Sequence, residues 1–212
     1  MNNSLLKQLS LLALAQHALA DEMDGIVKEL MGEPAPWCFP VGSTQYPPPD
    51  WYCASWHDPL TGKLNNGYRH TGIDLNVCKP PYGDIDRGQP VFAVAGGVVH
   101  RVGYSQSYLG SVILLVGHER APLYVRYWLL EGDATFRSWK EGQVVKAGET
   151  LGHIGNYTLG AGGDHLHFDM CTDPFECHWW FTNHPAVRWV DPVPILKAHL
   201  DPAQVDAMLE KR

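Results

Sequence analysis

From residue 90 to residue 170 the chain alternates short apolar runs with glycine-rich or polar breaks. PVFAVA (90–95), GVVHRV (97–102), SVILLV (111–116), LYVRYWLL (123–130) and HLHFDM (165–170) are rich in β-branched and aromatic residues. Runs of this length and composition, punctuated in this way, predict strands. The resulting fold class is mainly β, a compact antiparallel sandwich or curved sheet with a groove. Gly88, Gly96, Gly97, Gly148 and Gly152 fall where such a sheet turns or bulges and carry no function in this reading.

The chain ends follow other patterns. Leu5, Leu9, Leu12, Leu19, Met23, Ile26 and Leu30 fall near a three-four repeat, which predicts an amphipathic helix over residues 4–31. The same stretch also reads as a signal peptide, with Lys7 as the basic region, LLALA as the apolar core and Ala18-Leu19-Ala20 before Asp21 as the cleavage site. It is too short and too interrupted to span a membrane. Near the other end, Asp201 is a helix N-cap and Pro202 the first helical residue of a short helix. The pattern divides the chain into residues 1–32 (helix or signal-like segment), 33–66 (an arm rich in Pro and aromatics), 67–197 (the β-rich domain) and 198–212 (C-terminal helix).

Two histidine patterns lie in the β-rich part, RHTGIDLNV with His70 and Asp74, and DHLHFDM with His165 and His167. Alternate residues of a strand share a face, so His165 pairs with His167, and His70, Gly72 and Asp74 line up with an empty position between the two ligating groups. Any three of the four polar side chains satisfy the three-ligand count of a catalytic zinc site, and the spare imidazole is then a candidate general base.

The chain has 212 residues, 45% hydrophobic, with a net charge of −7. It is long enough for a proper core. The acidic balance and the lack of a basic run exclude nucleic acid as the main partner. Of five cysteines, Cys38 and Cys53 bracket the Pro-rich arm, Cys171 and Cys177 bracket TDPFE, and Cys78 is left over. Oxidation of both pairs would place the protein outside a reducing compartment. Trp51, Tyr52 and Trp56 in the arm, and Trp179, Trp180 and Phe181 in HWWFTNH, either line a substrate groove or pack as core, and His178 and His184 read as surface residues.

Taken in order, GYRHTGIDLNV, GQPVFAVAGGVV, VVKAGETLGHIGN and DHLHFDM resemble the lysostaphin-type, LytM-like zinc metallopeptidases of family M23. The resemblance spans residues 67 to 196 and takes in WVDPVPIL as a closing strand. It implies one zinc per chain held by His70, Asp74 and His167, with His165 catalytic. It further implies an endopeptidase that hydrolyses amide bonds in peptidoglycan stem peptides or cross-bridges, in a periplasmic, secreted or phage-associated setting. One position departs. Where the family has a second catalytic histidine in Tyr-x-His-Leu, this chain reads Tyr127, Trp128, Leu129, Leu130. Tyr127, Trp128, His118 and His153 are the nearby groups able to replace that donor, with His118 read as a turn residue. The alternatives are a zinc-containing but catalytically impaired binding or regulatory module, and a virion or cell-envelope assembly component that self-associates through its N-terminal helix.

Overall fold

The computed structural model describes residues 36–43, 47–48, 51–54, 71–77, 85–106, 109–118, 121–158, 164–172 and 189–209. The helix expected over residues 4–31 lies outside them. Ten strands and three helices are described. The strands are β1 (Trp51–Ala54), β2 (Gly72–Val77), β3 (Pro90–Phe92), β4 (Gly97–Ser105), β5 (Leu109–His118), β6 (Ala121–Leu130), β7 (Val144–Val145), β8 (Thr150–His153), β9 (Leu166–Cys171) and β10 (Trp189–Val190). The helices are α1 (Ala134–Ser138), α2 (Pro192–His199) and α3 (Pro202–Leu209).

Eight strands form one antiparallel sheet in the order β1-β2-β9-β6-β5-β4-β7, with β10 also pairing β9, while β3 and β8 form a separate two-stranded sheet. The mainly β, antiparallel expectation is met. In β2, β9, β6 and β5 the apolar period of two sends Ile73, Leu75, Leu166, Phe168, Met170, Val125, Tyr127, Val112 and Leu114 to one face, where they join the main core with Val91, Leu151 and Ile154. Tyr127 lies fully within this core, and its hydroxyl accepts the Val94 backbone N–H at 2.9 Å, so the one polar atom the ring brings inside is satisfied.

Each helix starts where a carboxylate accepts a backbone N–H that has no intrahelical partner. Asp133 accepts from Phe136 N at 2.8 Å, Asp191 from Val193 N at 3.0 Å and Asp201 from Ala203 N at 3.0 Å. The C-terminal helix therefore begins at Pro202, as its sequence predicts. WVDPVPIL, expected to be a closing strand, is one for only Trp189–Val190. Asp191 caps the next turn of chain and the prolines remove ladder donors, so Pro192–His199 is helical.

Three side-chain questions are decided, one of them against expectation. Of the two readings of Trp51, groove wall or core, the structure selects the core: it has no exposed surface, because β1 is hydrogen-bonded to β2 and turns Trp51 inward. Cys38 is a free thiol, so a Cys38–Cys53 disulfide is excluded; its Sγ donates to the Ala93 carbonyl at 3.1 Å, and burial pushes its pKa up. Cys171 is disulfide-bonded, as the sequence leads one to expect, and Cys78 and Cys177 lie outside the described residues.

Candidate active site

The opposite face of the same sheet carries the polar residues. Antiparallel pairing sets Asp74 of β2 opposite His167 of β9, and His167 opposite Trp128 of β6. One step along, in the same direction on every strand, Gly72 faces Asp169 and Asp169 faces Arg126. Residues opposite each other in a ladder share a face. Two rows, Asp74–His167–Trp128 and Gly72–Asp169–Arg126, therefore form a continuous floor.

Asp74, His165 and His167 converge on this floor. The Asp74 carboxylate oxygen lies 2.9 Å from His167 Nδ1 and 3.5 Å from His165 Nε2. His165 precedes the first residue of β9 and is held edge-on against the Tyr157 ring, with centroids 5.8 Å apart. Asp74 is the most open of the three, with 24% of its side chain accessible, while both imidazoles are buried. His70 lies outside the described residues, and among those described no group of three His, Cys, Asp or Glu side chains is arranged to hold a metal ion.

The donor set nevertheless has the chemistry of half a zinc site. His167 Nε2 lies 2.9 Å from the Asp169 carboxylate, which is paired with Arg126 and hence ionised and able only to accept. The proton of a neutral ring is therefore on Nε2, and the Nδ1 lone pair faces the Asp74 oxygen. Two acceptors 2.9 Å apart require a positive group between them, either a proton or a cation. A nitrogen and an oxygen donor so placed suit zinc. With neither cation present, burial alone would lower the pKa of His167, but hydrogen bonds to Asp169 and Asp74 outweigh it and raise the pKa. Asp169 is opposed in the same way: burial would raise its carboxyl, and Arg126 instead holds it far below the usual range.

The candidate donors around position 129 fall in different places. Tyr127 points into the core and is committed to Val94. His118 ends β5 opposite Ala121, seven residues along the strand from Ser111, which pairs with Trp128. At about 3.3 Å per residue this puts it roughly 23 Å from the site row. His153 Nδ1 is 2.6 Å from the Asp133 carboxylate. Trp128 alone of the four shares the row of His167. Leu129 is the extra residue of a bulge between Ser111↔Trp128 and Gly110↔Leu130, fully buried, with a φ of 70°.

Sequence reading missed Asp169, Arg126 and Thr71. Asp169 lies two residues beyond His167 and so had to share its face, a signal present in HFD. Arg126 could be found only through the β6–β9 register. Of the remaining aromatic candidates, Trp56, Trp179, Trp180 and Phe181 lie outside the described residues together with His178 and His184, and the side chain of Tyr52 is likewise undescribed.

Residues 68–176 match the sequence profile of peptidase family M23. A metalloprotease of uncharacterised role from Haemophilus influenzae is 31% identical over 113 residues, which cover 53% of this chain and 20% of that protein. The fold resembles the solution structure of lysostaphin, with a TM-score of 0.50 and 20% identity over 76% of this chain and 55% of that one. It also resembles a crystal structure from Ruminococcus gnavus assigned as a glycyl-glycine endopeptidase LytM, with a TM-score of 0.53 and 20% identity over 77% of this chain and 60% of that one. The chain thus spans one fifth of its curated relative and little more than half of either solved chain. The profile match covers over half of the present sequence and includes the Asp74, His165 and His167 cluster, and the chain belongs to peptidase family M23.

Proposed function

We propose that this M23 peptidase is a zinc-dependent endopeptidase acting on stem peptides or cross-bridges of peptidoglycan. The observation that carries the reading is the convergence of Asp74, His165 and His167 on one sheet face inside the M23-matched region. In it, His70, Asp74 and His167 hold one zinc ion. Zinc, when bound, polarises a carbonyl and lowers the pKa of water to about 7.

The protein's own residues do the rest. Asp74 supplies negative charge at the open edge of the cluster. His165, buried against Tyr157 with Nε2 turned to the same point, takes a proton from the attacking water and returns it to the leaving amine. Neutral imidazoles and an ionised carboxylate are needed to bind the metal, so the site empties in acid. The disulfide at Cys171, which ends the ligand-bearing strand, supports an extracytoplasmic location, periplasmic or secreted. Among the described residues no helix is long and apolar enough to cross a membrane.

The test pairs elemental analysis for zinc with release of new amino termini from a panel of purified peptidoglycans, with and without a chelator. One zinc per chain and chelator-sensitive release are expected. His167→Ala and Asp74→Ala lose the metal, whereas His165→Ala keeps it and loses hydrolysis. Full metal retention by Asp74→Ala refutes the ligand set. A second reading, a zinc-containing binding or regulatory module, is favoured by the fully buried leucine at 129 and by the placement of Tyr127 and His118 away from the cluster. Stoichiometric zinc without release from any wall would select it.

A further inference from the structure

We infer that Arg126, Asp169 and Thr71 form a positioning device that holds His167 with Nδ1 directed to the Asp74 side of the site. The inference rests on the metal role proposed for His167. Its geometric basis is the Asp169 carboxylate, which has no exposed surface and is saturated by donors. One oxygen accepts Arg126 Nε at 2.5 Å. The other accepts Arg126 Nη2 at 2.5 Å, the Thr71 hydroxyl at 2.7 Å and His167 Nε2 at 2.9 Å. A two-point guanidinium contact fixes the plane of the carboxylate, not only its distance.

The guanidinium is itself immobilised. Arg126 is fully buried, and its central carbon lies 4.3 Å from the Trp189 ring centroid and 5.1 Å from that of Trp128. Aromatic faces attract the cation without competing for its N–H groups. Gly72 completes the fit: a Cβ there would lie 2.4 Å from Asp169 Cβ and 2.2 Å from the Phe168 carbonyl oxygen, so a side chain would push β2 off the carboxylate. Thr71 ties the chain leading into β2 to the same oxygen that holds His167 on β9. One carboxylate thus sets the relative position of both ligand-bearing segments.

A buried ion pair is a poor source of stability, since apolar residues of similar volume usually serve as well or better. What an apolar pair cannot do is accept from Nε2 and fix which ring nitrogen carries the proton. Hydrogen-bond partners of this kind behind a ligating imidazole are worth roughly 10- to 100-fold in metal affinity.

The experiment compares the full-length wild type with Arg126→Met/Asp169→Leu and Thr71→Val. It reads the His167 tautomer by nitrogen-15 NMR of the metal-free protein at alkaline pH, and the zinc dissociation constant by competition with a chelator. The wild type is expected to carry its proton on Nε2. The double variant is expected to fold, to lose that single tautomer and to bind zinc roughly 10- to 100-fold more weakly, with Thr71→Val showing a smaller loss of affinity. A folded double variant with the wild-type tautomer and affinity overturns the inference. Should the double variant not fold, Arg126→Lys, which keeps the charge but loses the planar fork, is measured instead, and unchanged zinc affinity there overturns it equally. A wild type that binds zinc but cleaves nothing defeats the proposed function while leaving this inference standing. A wild-type His167 protonated on Nδ1 does the reverse.

Discussion

Strand β9 carries two sequences interleaved. Leu166, Phe168 and Met170 enter the main core, while His167, Asp169 and Cys171 lie on the other face, and all six are buried. Burial does not distinguish the two sides; partners do. The core side needs only volume and apolar surface, whereas each polar group on the site side must find a donor or acceptor. Asp169 finds Arg126, Thr71 and His167, and His167 finds Asp169 and Asp74. The same backbone thus serves as wall of the core and floor of the site, and a substitution should be felt as lost stability on one face and as lost metal affinity or turnover on the other.

The sharpest way to break this separation is Phe168→Ala. Phe168 is fully buried and packs edge-on against Tyr127 at 5.4 Å between centroids. Truncation is expected to cost about 3 to 5 kcal/mol in denaturant unfolding, with the zinc affinity of the folded fraction unchanged. A loss of affinity without a loss of stability would show that the faces are not independent.

Asp86 gives a pH handle on the stability side. Burial, partly offset by the Val77 N–H and reinforced by Asp164, pushes its pKa up to about 7 from an ordinary 3.8. Between those values the folded protein holds a proton that the unfolded chain has released, so stability falls as pH rises through the window and levels off above it. Asp86→Asn keeps an oxygen for Val77. It is expected to flatten that slope and to raise stability above the window by at most roughly 4 kcal/mol, read from urea melts across pH. An unchanged slope would assign the pH dependence to other groups.

Tyr127→Phe tests the claim that Tyr127 serves the core. Leaving the Val94 N–H without its acceptor should cost about 1 to 3 kcal/mol in stability, with turnover per folded molecule unaltered. A drop in kcat at unchanged stability would return Tyr127 to the site.

The variant that bears most directly on turnover is Leu129→His. The left-handed backbone at 129 is several-fold more common for histidine than for a bulky aliphatic residue. That relief is set against the cost of placing an imidazole at a fully buried position, about 1 to 3 kcal/mol where it finds no partner, while turnover on peptidoglycan rises at least about tenfold, equivalent to 1.4 kcal/mol. No gain with an already fast parent would mean that another group, with Trp128 in the nearest row, occupies the role.

Local pattern by itself determined the antiparallel β class, the strands β4, β5, β6 and β9, the first half of the 90–95 run as β3, the helix start at Asp201, and the candidates Asp74, His165 and His167. All of these depend on a period of two, on capping chemistry or on short motifs, which act within a few residues. The free state of Cys38, the core position of Trp51, the core-facing Tyr127 and the Arg126–Asp169–Thr71 network behind His167 did not follow from it. These were decided by which strands pair and in what register, because a side chain's partner across a sheet lies 43 or 98 residues away in the chain, and no local signal carries that distance.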